Sequence, residues 1–493
     1  RAAFATAPES EAAPVHPVPV ADALRWDPTR YNPQSVTVGD QTIQVRAYEG
    51  VPVVARPIEP AYQAINLYVP EVYFHGGHIG AFDACTAPIF LPIGVGGYMP
   101  AKPGTLTSRM GPPSTEAAPT ASAIALSRGF IVAAPGARGR TLQAADGLWT
   151  GKAPAAIVDL KAAVRWLRYN SGPLPGNVER IVSNGTSAGG ALSALLGASG
   201  NHPDYEADLQ ALGAAPGRDD VFAVSAYCPI TNLAHADEAY EWQFEGLREY
   251  RNVAITMLDF RVQRKEIVGR LDEAQLVLSA ALRADFVAYV NQLGLRAPDG
   301  TPLTLEADGQ GRLRDHITAL LKAAAQRALD GGEDLAGAHW LTIQNGQIQA
   351  LDFDAHVRAA GRMKSLPGFD GLALETGENQ LFGSSMTDNR HFTDFAFRRS
   401  MVSDAECADV RTVRSMDAMW QIADERSTVA SRWRIRHGAM DRDTSFAVPT
   451  LLAAAARQRK AAVDFALPWG LPHCGDHDLD ELFAWSEGAV VSG

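Results

Sequence analysis

Ile181-Val182-Ser183-Asn184-Gly185-Thr186-Ser187-Ala188-Gly189-Gly190, continuing as Ala191-Leu192-Ser193-Ala194-Leu195-Leu196-Gly197, is the stretch on which the reading of this 493-residue chain turns. Two β-branched apolar residues open it, small residues form a turn with one hydroxyl at its apex, and an Ala/Leu-rich run follows with the composition of a buried helix. Gly185, Ser187 and Gly189 fit G-x-S-x-G, in which a serine occupies a cramped strand-to-helix turn and glycine two places either side lets the backbones pass. In a chain with 44 glycines such a pattern also arises by chance. An incidental serine in a glycine-rich turn is therefore the plain competing reading, and the flanks must decide.

Upstream, residues 36–55 alternate apolar and polar around Gly39-Asp40, which predicts an antiparallel hairpin. A strand over 65–69 leads through Glu71-Val72-Tyr73-Phe74 into His75-Gly76-Gly77-His78, and residues 129–136 form a continuous apolar run of the kind buried on both faces in parallel sheets. Pro154 opens a helix with Ile157, Leu160, Val164 and Leu167 on one side and Asp159, Lys161, Arg165 and Arg168 on the other. Downstream, residues 221–228 form another buried strand. The order strand, helix, strand, helix, strand predicts an α/β fold with a mostly parallel central sheet and helices on both faces.

After Pro229 the character changes. Residues 231–410 read mainly as helices, with amphipathic stretches at 271–294 and 314–329 and a hairpin turning at Asn345-Gly346, and so predict a large inserted cap, or lid. Strands return at 432–436 and 462–467 around a helix near 450–460, and a last helix carries Leu479, Leu482, Phe483 and Trp485. The expected division is an N-terminal segment (1–35), a catalytic domain (36–230 and 411–493) and the cap (231–410).

A net charge of −12 without a basic run argues against nucleic acid and anionic membrane surfaces as partners. No apolar run approaches the ~18 residues of a membrane span. The Ala/Pro-rich opening, residues 1–20, resembles the spacer behind a removed export signal and predicts a secreted or periplasmic protein. Cys85, Cys228, Cys407 and Cys474 match no zinc spacing and fit either no bridge or up to two.

A serine hydroxyl needs a histidine to take its proton and an acid to fix that histidine's tautomer, at the ends of later strands and in the order serine, acid, histidine. The strand ending at Arg436 runs into His437-Gly438-Ala439-Met440-Asp441-Arg442-Asp443-Thr444, and that ending at Leu467 into Pro468-Trp469-Gly470-Leu471-Pro472-His473. Ser187, Asp441 and His473 meet both conditions. Asp443 is a rival acid and His477 a rival base, while Asp476 and Asp478 suit the first turn of the last helix and His437 suits a packed position at a strand end. The expected oxyanion donors are the N–H of Ala188 and that of Gly76 or Gly77, with a plain tight turn as the rival reading of the His-Gly-Gly stretch.

The run 184–195, the Arg-His-Gly-Ala-Met-Asp-Arg-Asp-Thr run at 436–444 and Pro468-Trp469-Gly470 before His473 together resemble the bacterial tannases, the tannin acyl hydrolases of the α/β-hydrolase superfamily. The resemblance extends from about residue 36 to the C-terminus. It implies that the first aspartate of the Asp-x-Asp pair, Asp441, is the acid. It also implies that the second, Asp443, joins Lys364 and Glu378 of the cap in holding the hydroxyls of a galloyl group. Vicinal phenols donate to carboxylates and accept from an ammonium, so such a site rejects rings that lack them. Without the resemblance Lys364 and Glu378 read as surface charges.

Two features depart from that pattern. Cys474 is similar to the cysteine beside the catalytic histidine in fungal tannases and feruloyl esterases, but its partner position before the nucleophile is Thr186, so a bridge from Cys474 would have to reach Cys85, Cys228 or Cys407. His75-Gly76-Gly77-His78 looks more like general lipases and esterases. The expectation is a serine esterase that cleaves galloyl esters and depsides through an acyl-Ser187 intermediate. It would need no metal or organic cofactor, take a small-molecule substrate and form a monomer or small homo-oligomer. A feruloyl esterase or other carboxylesterase with the same triad, and a non-catalytic binding protein of hydrolase fold, are the alternatives.

Overall fold

The computed structural model describes residues 20–109, 118–258 and 261–491. Its frame is a nine-stranded sheet built from β1 (Asn32–Val38), β2 (Gln41–Pro52), β3 (Ala64–Pro70), β4 (Ile89–Ile93), β5 (Ile131–Pro135), β6 (Ile181–Thr186), β7 (Ala223–Tyr227), β8 (Arg432–Arg436) and β9 (Ala462–Ala466). The spatial order is β1-β2-β3-β5-β4-β6-β7-β8-β9. The first three strands run antiparallel to their neighbours, and the remaining six are mutually parallel. The carboxyl ends of β4 to β9 therefore share one edge, where α/β sheets place their ligands.

The predicted elements are present, with boundaries shifted by a few residues. Gly39-Asp40 turns the first hairpin. Helix α1 (Ala121–Ser127) precedes β5, α2 (Ala155–Tyr169) lies between β5 and β6, and α3 (Ala188–Ala198) follows β6 directly. Between β7 and β8 the chain forms an inserted region. It holds α4 (Ala236–Phe244), α5 (Glu273–Leu293), α6 (Arg312–Asp330), α7 (Phe353–Ala360) and α8 (Gly377–Leu381). Its second hairpin pairs Leu341–Gln344 with Gln347–Leu351 through Asn345-Gly346. Helix α9 (Ala447–Gln458) joins β8 to β9, and α10 (Leu479–Val491) closes the fold. Among the described residues no helix is long and apolar enough to cross a membrane.

Several expectations need correction. Residues 1–19 of the Ala/Pro-rich segment lie outside the described residues. The chain just beyond it joins the fold, with Leu24 and Trp26 buried in the main core and the Trp26 amide donating to Asn170 Oδ1 at 2.8 Å. The charged side of α2 is buried and neutralised by partners. Asp159 pairs with Arg138 at 2.9 Å, Lys161 with Asp219 at 2.8 Å, and Arg165 with Asp219 at 2.9 Å. The region read as mainly helical also contains a long hairpin, Glu249–Leu258 with Arg261–Arg270, and strand β4 was not anticipated.

Candidate active site

The turn after β6 holds Ser187 at φ 59°, ψ −123°, a conformation in which a side chain is rarely found. Its amide donates to Tyr227 O at 3.0 Å, and its carbonyl accepts from Ala191 at 2.8 Å, so strand, turn and α3 are locked together. The two flanking glycines are required by contact. A Cβ on Gly185 would lie 2.2 Å from Gly189 O, and one on Gly189 would lie 2.7 Å from Val95 O.

Asp441 and His473 meet at the same edge of the sheet. His473 Nδ1 and Asp441 Oδ2 are 2.7 Å apart, and the other carboxylate oxygen accepts the Asp443 amide at 2.8 Å. Their loops are paired: His437 N donates to Ala466 O, Ala439 N to Pro468 O at 2.8 Å and Met440 N to Leu471 O at 2.9 Å. The inserted region adds a brace, His356 Nε2 to Ala439 O at 2.7 Å. Gly475 then presses on the residue before Ser187, since a Cβ there would meet Thr186 Oγ1 at 1.8 Å.

Burial pushes the Asp441 carboxyl up, but the adjoining His473 ring outweighs it and holds the group well below the usual carboxylate range. Burial likewise pushes the His473 imidazole down, while Asp441 and then Asp443 outweigh it and raise it well above its ordinary value. This is the pairing that fixes a histidine's tautomer and stabilises its charged form.

The rival residues are engaged elsewhere. Asp443 turns its carboxylate to Lys364 Nζ, 3.4 Å away. His477 lies edge-on to Tyr227 with ring centroids 5.1 Å apart. Asp476 and Asp478 are tied to the sheet instead of standing as first-turn carboxylates of α10: Asn184 Nδ2 donates to Asp476 at 3.0 Å, and Asp478 takes the Tyr227 hydroxyl at 2.6 Å and Arg434. His437 is buried as expected. The four cysteines are free thiols, with Cys228 Sγ donating to Cys474 O at 3.1 Å.

Gly76 and Gly77 do not reach Ser187. β3 is antiparallel to β5, with Ile65 opposite Pro135, so its end delivers these glycines to the far edge of the sheet. Residues Glu71–His75 form a 3-10 turn there, and both the Gly76 and Gly77 amides donate to Val72 O. The turn that abuts the elbow is Gly94-Val95-Gly96-Gly97 after β4, as the approach of Gly189 to Val95 shows. An apolar strand at 89–93 running into three glycines was the available signal.

Lys364 and Glu378 are brought to Asp443. Burial lowers the Lys364 pKa, but the charges of Asp443 and Glu378 outweigh it and raise it. Burial dominates at Glu378, whose carboxyl is pushed up against the pull of Lys364 and Arg140. The scaffold is buried and polar. Tyr240 Oη, on α4, accepts the Met363 and Lys364 amides at 3.0 Å each and donates to Arg442 O at 2.9 Å. Asp237 accepts the amides of Gly368, Phe369 and Asp370. Arg140, unforeseen from sequence, donates Nε to Gly97 O at 2.8 Å and reaches Gln380 of α8. It thereby joins the glycine turn to the helix bearing Glu378.

The family model described as BD-FAE matches residues 116–271. The curated Esterase LipC of Mycobacterium tuberculosis is 45% identical over 56 residues, which are 11% of this chain and 14% of that protein, so the chain spans only a small part of this relative. Whole-chain similarity comes from solved structures. The tannase of Fusobacterium nucleatum is 42% identical with a TM-score of 0.90, covering 95% of this chain and 99% of its own. The tannase of Lactobacillus plantarum is 43% identical with a TM-score of 0.90, covering 95% and 100%. A tannin acyl hydrolase solved in complex with ethyl gallate is 44% identical with a TM-score of 0.88, covering 95% and 99%. Similarity of that extent, over a shared sheet and a shared inserted region, makes this chain a member of the bacterial tannase family and a carboxylic ester hydrolase.

Proposed function

We propose that the protein hydrolyses galloyl esters, and the depside bonds between galloyl groups, through a galloyl-Ser187 intermediate. The observation that carries this reading is the 2.7 Å hydrogen bond between Asp441 and His473, at the sheet edge that also presents Ser187. His473 takes the Ser187 proton through Nε2 as Oγ attacks the ester carbonyl, and the C–O bond to the alcohol breaks as the proton passes to the leaving oxygen. Water then repeats the sequence and frees gallic acid. The Ala188 amide, first in α3, and an amide of the Gly94–Gly97 turn serve as the donors to the oxyanion in this reading.

Lys364, Glu378 and Asp443 serve as the galloyl-binding cluster, and the inserted region that supplies two of them serves as a cap. Support comes from their convergence on one another and from a similar tannin acyl hydrolase that binds ethyl gallate. The test is turnover of methyl gallate and methyl ferulate by wild type, Ser187→Ala and Lys364→Ala. Ser187→Ala should lose at least about 10⁴-fold in kcat. Lys364→Ala should lose about 10- to 100-fold in kcat/KM on the gallate, the worth of a hydrogen bond to a charged group. A clear preference for ferulate would sink the galloyl assignment, and equal rates for wild type and Lys364→Ala would mean that the cap residues are misassigned.

A further inference from the structure

Beside the Asp441–His473 pair, three buried groups from two strand ends come together. Cys228 follows β7, while His437 and Asp441 share the loop after β8. Their sulfur, imidazole nitrogen and carboxylate oxygen all lie within 4.8 Å of one another, and none of the three residues is more than 1% exposed. His437 is the unexplained member. Neither of its ring nitrogens makes a hydrogen bond of full geometry, the Thr444 backbone supplying only a weaker polar contact. A neutral imidazole carries one N–H in either tautomer, and burying it unpaired costs about 1–3 kcal/mol. Its Nε2 stands 3.6 Å from Asp441 Oδ2, too long for a hydrogen bond. It is close to the ~3.4 Å that separates two ligands set tetrahedrally about 2.1 Å from one zinc-sized ion.

The donor set narrows the guest. Sulfur, imidazole and carboxylate together suit a borderline-soft divalent cation of the zinc and cadmium class, whereas magnesium and calcium take oxygen. The charges also balance. A thiolate and a carboxylate neutralise a divalent ion, the imidazole adds none, and no net charge is left in the interior. Asp441 Oδ2 is the atom that His473 uses and also the one nearest His437.

We propose that Cys228, His437 and Asp441 form a binding site for a single zinc-class cation, and that filling it takes Asp441 from His473 and arrests ester hydrolysis. On binding, the Cys228 S–H bond breaks and its proton goes to solvent. A metal–sulfur bond replaces the thiol's hydrogen bond to Cys474 O, and Asp441 Oδ2 exchanges the His473 N–H for the metal. His473 then loses the group that sets its tautomer, with the effect of deleting the acid. The arrest rests on the proposed role of Asp441, but cation binding does not.

The test titrates the full chain with zinc against a chromophoric chelator, follows hydrolysis of methyl gallate and a simple aryl acetate in parallel, and records the cobalt-substituted spectrum. Wild type should bind one zinc per chain, lose both activities in step with occupancy and show a thiolate-to-cobalt charge-transfer band in the near ultraviolet. Cys228→Ser keeps the donor to Cys474 O and should lose the band and at least ~100-fold in zinc affinity. His437→Gln should lose zinc affinity too, and supplies the comparison should Cys228→Ser fail to fold. Zinc binding equal in wild type and variants, or absent from wild type, overturns the site; zinc bound with turnover intact overturns the arrest. Stoichiometric binding in a protein inactive on methyl gallate would instead count against the galloyl reading and leave the site standing.

Discussion

Replacing Tyr240 by phenylalanine removes one oxygen, yet that oxygen joins the loop of Lys364 to the loop of Asp443. It accepts the Met363 and Lys364 amides at 3.0 Å each and donates to Arg442 O at 2.9 Å. The phenol is fully buried, and burial pushes its pKa up to about 12, so it is a neutral donor throughout the working range. In Tyr240→Phe two amides and a carbonyl lose their partner. Each unsatisfied group costs about 1–3 kcal/mol, but relaxation of the loops recovers part of it, so the expected net loss is about 2–4 kcal/mol. Some of that loss should surface as a wider separation of Lys364 Nζ from Asp443, now 3.4 Å. If about 1.4 kcal/mol appears in substrate binding, KM for methyl gallate rises about tenfold. Steady-state kinetics on methyl gallate and a simple aryl acetate, with thermal unfolding of both proteins, give the answer. The expected pattern is a raised gallate KM, near-normal kcat on the acetate and a lower Tm. A Tyr240→Phe enzyme with an unchanged Tm and gallate KM would refute the idea that this hydroxyl sets the register of the two loops.

Asp443→Asn removes a negative charge that favours the His473 imidazolium. The base must be neutral to act, so kcat/KM rises with pH through its pKa, and in the variant that limb should move to lower pH on an aryl acetate; no movement, or an upward one, contradicts the electrostatic account. Asp219→Asn strips the charge from a carboxylate shared by buried Lys161 and Arg165 and should destabilise by about 3–5 kcal/mol, read as a Tm drop with kcat of the remaining folded enzyme unchanged. Gly76→Ala, at φ 71° on the far edge of the sheet, should cost about 1 kcal/mol of stability and leave kcat intact. A large kcat loss there would restore the discarded oxyanion assignment.

What the sequence made legible follows periodicity and strand ends. The runs at 129–136, 181–184 and 221–228 could be read as parallel strands because burial on both faces makes them continuously apolar. Asp441 and His473 could be found because strands 432–436 and 462–467 end just before them. The His-Gly-Gly error had a different origin. Glycines after a strand advertise free amides, but only strand direction decides which edge receives them, and β3 runs against β5. β4 is hard to read because it includes Pro92, which argues against a central strand. The hairpin at 249–270 lacks a glycine-bearing pair at its reversal, so no turn signal marked it. Lys364 and Glu378 obey no period at all. Their convergence depends on buried polar contacts from Tyr240 and Asp237, which long-range folding alone creates.

The brace from His356 to Ala439 O limits how this enzyme could be re-engineered. An insertion between β7 and β8 looks like an exchangeable module, since both of its ends leave from neighbouring strands. Yet the same insertion buttresses the loop carrying both Asp441 and Asp443 at two points, through His356 and through Tyr240. A graft of a foreign module onto this sheet would leave the loop carrying Asp441 and Asp443 without these two supports, unless it brought an equivalent pair of donors.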